Sequence, residues 1–84
     1  MKFKTIKEME SELSKVTDIK KLHNDITFMN RGVSYTLRYI STGSANGTSE
    51  IYYMGDESAA NVRITFSGSD SGITVNNVIV NVNA

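Results

Sequence analysis

The chain carries one histidine, His23, and no cysteine in 84 residues. A hydrolytic triad needs a nucleophile, a base and a group that orients the base. Here only His23 can be the base. It falls in a helical stretch where the apolar pattern slips, and no serine or acidic motif accompanies it, so it reads as a solvated or capping residue. No HxxxH or DxDxDG spacing offers a metal site. Glu8, Glu10 and Glu12 stand in what read as the first turns of a helix, and Asp56-Glu57 in a turn. Both placements have structural reasons that need no carboxylate-pair chemistry. The six glycines form neither GxGxxG nor GxxxxGK, so no nucleotide cradle is expected. Gly43-Ser44-Ala45-Asn46-Gly47 reads as an ordinary hairpin loop. The residues predict a protein that is not an enzyme and that holds no cofactor and no metal.

What remains is surface chemistry on a sheet. If Val33, Tyr35, Leu37 and Tyr39 point inward, then Ser34, Thr36, Arg38 and Ile40 point outward. Tyr52, Asn61, Arg63 and Thr65 do the same on neighbouring strands. Arginine and tyrosine are enriched at the hot spots of protein interfaces. The same pair can stack on bases and meet phosphates, as single-strand binders do. A plainer reading is a solvated face whose residues simply favour strands. Lys+Arg and Asp+Glu are both 9, so the net charge is zero. A duplex-DNA binder draws its affinity from a basic excess, and a DNA mimic needs an acidic one. Neither is present.

The end of the chain adds a second surface. Val78-Ile79-Val80-Asn81-Val82 has strong strand propensity with no charge and no proline. As an edge strand it would invite strand addition, with Ile79 and Asn81 on the outward side. A homodimer through this C-terminal strand and a partner that adds a strand are both open.

These surfaces must be positioned by local structure. Thr5-Ile6-Lys7-Glu8 reads as a capping box, with Glu8 returning to the Thr5 amide. Behind it Ile6, Met9, Leu13 and Val16 form one apolar stripe, which predicts a helix from about residue 5 to 16. Ile19, Leu22 and Ile26 are out of phase with that stripe. A break near Thr17, with Thr17 or Asp18 capping a second short helix to about Asn24, is the preferred reading; one drifting helix is the alternative. From Ile26 the period becomes 2. Strands are predicted at residues 26–29, 33–40, 50–54, 61–66 and 73–82, with Asn30-Arg31-Gly32 as the first turn. Residues 41–48 lack a large apolar side chain and read as an exposed loop. Gly55-Asp56-Glu57-Ser58 and residues 68–72 read as turns. In the last strand Ile73 and Val75 are out of phase with Val78, Val80 and Val82, which predicts a β-bulge at Asn76-Asn77.

The expected fold is one α+β domain, residues 1–84: a helix on one face of a four- to five-stranded antiparallel meander. The expected core is Ile6, Met9, Leu13, Val16, Leu22, Phe28, Val33, Tyr35, Leu37, Tyr39, Ile51, Tyr53, Val62, Ile64, Phe66, Ile73, Val75 and Val80. The absence of cysteine favours a reducing, cytoplasmic setting. The start shows no signal-peptide pattern, and apolar runs as short as Val78 to Val80 span no membrane. Size and composition suit a small interaction protein, such as an inhibitor or accessory protein of a bacterium or phage. It would bind a protein partner through Arg38, Tyr52, Arg63, Thr65, Ile79 and Asn81. The alternative is a single-stranded nucleic-acid binder using the same sheet face.

Overall fold

Thr5 opens a helix, α1 (Ile6–Ser14). Its hydroxyl accepts the Glu8 amide at 3.1 Å, which satisfies one of the donors a helix start leaves free. The Glu8 carboxylate returns to the Lys4 amide at 3.0 Å, one residue before the expected Thr5 amide. Met9 and Leu13 are fully buried. The helix stops two residues short of the predicted end, because the Lys15 and Val16 amides bond to Glu12 and Leu13 carbonyls and close a tighter turn. Asp18 then caps a single 3₁₀ turn, Ile19–His23, accepting the Lys20 amide at 3.0 Å. This turn is the second short helix, and it buries Leu22.

The computed structural model describes residues 1–45, 48–55, 60–69 and 71–82. The predicted turn residues Asn46, Gly47, Asp56, Glu57, Ser58 and Asp70 lie outside them. The strands are β1 (Lys2–Phe3), β2 (Ile26–Asn30), β3 (Val33–Ala45), β4 (Thr48–Gly55), β5 (Ala60–Ser69) and β6 (Gly72–Val82). They form one sheet in chain order. The fold is α+β, with six strands rather than four or five. β1 is the addition: it runs parallel to β2 through Lys2↔Thr27 and Phe3↔Phe28, so the sheet is mixed. All other neighbours are antiparallel.

Two turns need positive φ. Arg31 and Gly32 join β2 to β3 with φ of 51° and 79°, the signs that suit a tight hairpin. Gly68 has φ of 116°, and a Cβ there would stand 2.3 Å from the Gly72 carbonyl oxygen, so only glycine fits.

The predicted loop at residues 41–48 is corrected. β3 continues to Ala45 and β4 begins at Thr48, with Ser41↔Tyr52, Thr42↔Ile51 and Gly43↔Glu50 in register. Ser41, Thr42 and Ser44 are exposed, so these rungs need no apolar period to form. The Tyr39 hydroxyl and Thr42 Oγ1 lie 2.8 Å apart across the step between them. β3 shifts register between Tyr39 and Ser41, leaving Ile40 as an extra residue. β6 shifts where Thr65 pairs with Asn77 but Phe66 pairs with Val75, leaving Asn76 as the extra residue. That is the bulge read from the valine phase.

α1 touches β1, β2 and β6, strands from both ends of the sheet order. The sheet must therefore curl around the helix. The Ile73 amide donates to the Thr17 carbonyl at 3.0 Å and ties the start of β6 to the segment after α1. The core lies in this curl, from Met9 and Leu13 to Leu37, Ile51, Tyr53 and Ile64. Ile6, Val16, Tyr35, Tyr39, Val75 and Val80 are only partly buried against it. Val33 is a correction: it is 51% exposed, because it pairs with Asn30 beside the hairpin turn. Ile26 and Ala60 are fully buried and complete the core that the sequence reading left short.

Candidate functional site

Strand alternation and register build the face opposite α1 row by row. One row runs Arg38, Met54, Asn61, Asn81 across β3 to β6; the next runs Ser41, Tyr52, Arg63, Ile79. A third places Glu50, Thr65 and Asn77 together. All six residues expected at the binding surface thus stand on three adjacent rows. Arg38, Tyr52, Arg63 and Asn81 are exposed, while Thr65 and Ile79 are half-buried.

A groove of about 410 Å³ opens on this face, lined by Ile40, Ser41, Tyr52, Met54, Asn61, Arg63 and Asn81, with Tyr53 and Val62 at its base. Ile40 and Met54 are 55% and 44% exposed. Ile40 reaches this face by plain alternation from Arg38, and the bulge in β3 brings Ser41 onto the row of Tyr52 as well. Met54 and Glu50 were absent from the expected surface. Both share the parity of Tyr52 within one strand, which is the signal that would have found them.

Tyr52 is held in place from two sides. Its ring leans over Gly43, where a Cβ would stand 3.7 Å from Tyr52 Cε2. Its hydroxyl donates to Glu50 Oε2. That hydrogen bond, with desolvation and the Glu50 charge, raises the phenol above its ordinary pKa, against the opposing pull of Arg63. Asn81 Nδ2 donates to Asn61 Oδ1 at 3.0 Å, which braces the end of β6 against β5.

The inner face holds a different tyrosine. Tyr53 is 1% exposed, and its buried hydroxyl has no hydrogen-bond partner among the described residues. Desolvation, and secondarily Tyr39, pushes its pKa far above the usual phenol range. Tyr39 meets Tyr53 edge-on at 6.3 Å, and the His23 ring stacks on Tyr39 at 4.5 Å and 30°. His23 is exposed, as expected of a solvated residue, and its ring also covers one side of Tyr39.

The carboxylates of α1 have local partners. Glu8 serves the cap, and Glu12 makes an exposed ion pair with Lys15 at 3.4 Å. Among the described residues, no three of His, Asp and Glu gather closely enough to hold a metal. No helix among them is long and apolar enough to cross a membrane. Comparison with protein families, characterised sequences and solved structures gives no match.

Proposed function

We propose that the protein is a non-enzymatic binding module whose partner is another protein, engaged through the sheet face around Tyr52. The observation that carries this reading is an exposed apolar patch, Ile40, Tyr52 and Met54, bordered by Arg38, Arg63, Asn61 and Asn81. An apolar centre with a polar rim containing arginine is the composition of a protein interface. Contiguous exposed apolar side chains on a small domain are seldom without a use.

Single-stranded nucleic acid is the weaker reading. Glu50 takes the Tyr52 hydroxyl and sets a carboxylate beside the one ring of this patch, where a phosphate backbone would be repelled. Methionine and isoleucine offer no cation to phosphate, whereas both adapt to an apolar partner surface. Occupying a partner in this way is how small inhibitors and assembly factors act.

The test is affinity capture from the cells that make the protein, with wild type and Met54→Glu as baits, before and after nuclease treatment. The expected result is a protein captured by wild type, insensitive to nuclease and lost with Met54→Glu. Capture that disappears with nuclease would overturn the reading in favour of nucleic acid.

A further inference from the structure

The last strand carries a feature that the outer face does not explain. Residues 77–81 read Asn, Val, Ile, Val, Asn, the same in both directions. They begin directly after the bulge residue Asn76. Among the described residues β6 is the terminal strand of the sheet, with β5 as its one neighbour. Among the described residues, its backbone bonds beyond that ladder reduce to the Ile73 amide on Thr17, which lies before the bulge. The section after the bulge therefore presents open main-chain donors and acceptors. No charge or proline occurs anywhere in β6, and the one bulge lies before residues 77–81, so that section has no charge, proline or bulge to guard its edge.

We propose that this section pairs with the same section of a second copy, antiparallel, about a two-fold axis at Ile79. A two-fold interface must match itself, and directly opposed residues lie on one face of a sheet. With Ile79 on the axis, Ile79 meets the partner's Ile79. Val78 meets the partner's Val80, and Asn77 meets the partner's Asn81. Every rung joins identical residue types, with apolar contacts at the centre and amides at both ends. Asn81 keeps its Oδ1 and one N–H for the facing Asn77, since its bond to Asn61 uses a single donor.

A second copy is the fitting occupant because the other edge of the sheet cannot take this role. β1 is two residues long and includes Lys2. Pairing of β6 with β6 is thus the arrangement that closes, giving a dimer and not a fibre. The two six-stranded sheets become one of twelve strands. Tyr52, Arg63 and Ile79 already share a row, so the axis joins this row to its copy. At ~4.8 Å per strand the two Arg63 positions fall about 14 Å apart, beyond the ~8–10 Å screening length, and the two Tyr52 positions about 24 Å apart. The pairing stands on β6 alone and holds whatever the outer face binds.

Sedimentation of the wild type at high micromolar concentration should give a species of twice the 9.3 kDa chain mass. Ile79→Lys opposes two like charges on the axis and should weaken association by about tenfold or more, because such pairs destabilise a sheet. The cysteine-free chain allows a direct check that needs no charged variant. Directly opposed Cα atoms are about 4.5–5.5 Å apart in antiparallel pairs, within disulfide reach. Ile79→Cys should therefore form an intermolecular disulfide under mild oxidation, and Ser34→Cys, exposed on β3, should not. A wild type that stays monomeric overturns the proposal and leaves the edge to a strand from another protein. A dimer that Ile79→Cys fails to cross-link overturns it as well, since that dimer would use another surface.

Discussion

Tyr53 concentrates an unusual cost in one side chain: a phenol buried to 1% exposure whose oxygen finds no partner among the described residues. Burying a hydroxyl without a hydrogen bond opposes folding, so Tyr53→Phe should leave stability unchanged or raise it by up to about 1 kcal/mol at neutral pH. The pH dependence has a definite sign. Desolvation raises the folded pKa above the ordinary 10.0, so above that pH the unfolded chain releases the proton first. The unfolded state is then favoured, at up to about 1.4 kcal/mol per pH unit from this group. Urea unfolding at pH 8 and pH 11 should show wild type losing more stability than Tyr53→Phe; equal losses would refute the assignment. Thr5→Ala should destabilise by about 0.5–2 kcal/mol, the range for a lost N-cap, read as a lower denaturant midpoint. Thr5 was legible because a capping box is a local pattern, although the Lys4 amide, and not Thr5's own, receives the Glu8 carboxylate. Tyr53 as core was legible from strand alternation. Its missing partner was not, since satisfaction depends on which atoms the tertiary fold brings near.

At the scale of elements, the two bulges show where periodicity succeeds and where it fails. In β6 the valines on either side of Asn76 declare two phases, so one extra residue is the economical reading. In β3 the phase also resets, but Ser41, Thr42 and Ser44 are exposed, and no apolar residue reports the new phase. Periodicity therefore ends the strand at Ile40 and leaves a loop where the hairpin forms. β1 escapes it for a related reason, since two residues carry no period. A deletion tests the bulge assignment. Removing Asn76 would leave Val75, one asparagine and Val78 in strict alternation, with Val78, Val80 and Val82 still opposite Ile64, Val62 and Ala60. The variant should fold with a thermal midpoint near wild type. Deleting Ile79 instead turns Val80 and Val82 to the other face and should destabilise strongly, because a one-residue slip inverts every later side chain. Equal damage from both deletions would mean that Asn76 is an ordinary rung.

For the whole molecule, the relevant quantity is a net charge of zero spread over 18 charged side chains, 9 of each sign. The fold does not gather the cations of the outer face into a basic stripe: Arg38 and Arg63 lie on different rows of β3 and β5 with Met54 and Tyr52 of β4 between them, and Glu50 stands on the row next to that of Arg63. That Arg38, Tyr52 and Arg63 share one face could be read from strand parity alone. Their order across the sheet could not, because register and strand neighbours come from turns and bulges that leave no period. The charge balance predicts how binding should respond to salt. A ligand that neutralised 6–10 phosphates would lose about 10³–10⁵ in affinity between 50 and 200 mM salt, through release of condensed counterions. An apolar patch around Tyr52 and Met54 gains nothing from counterion release and is strengthened, if at all, by excluded salts. Affinity for the captured partner should therefore change by less than about tenfold over that range, with any slope owed to rim charges such as Arg63, whose worth is small and screened. Arg63→Ala should flatten this slight slope and cost little affinity, while Met54→Glu should remove most of the binding at every salt concentration. A titration in which Arg63→Ala and Met54→Glu exchange these roles, with a steep salt slope in wild type, would identify the ligand as a polyanion.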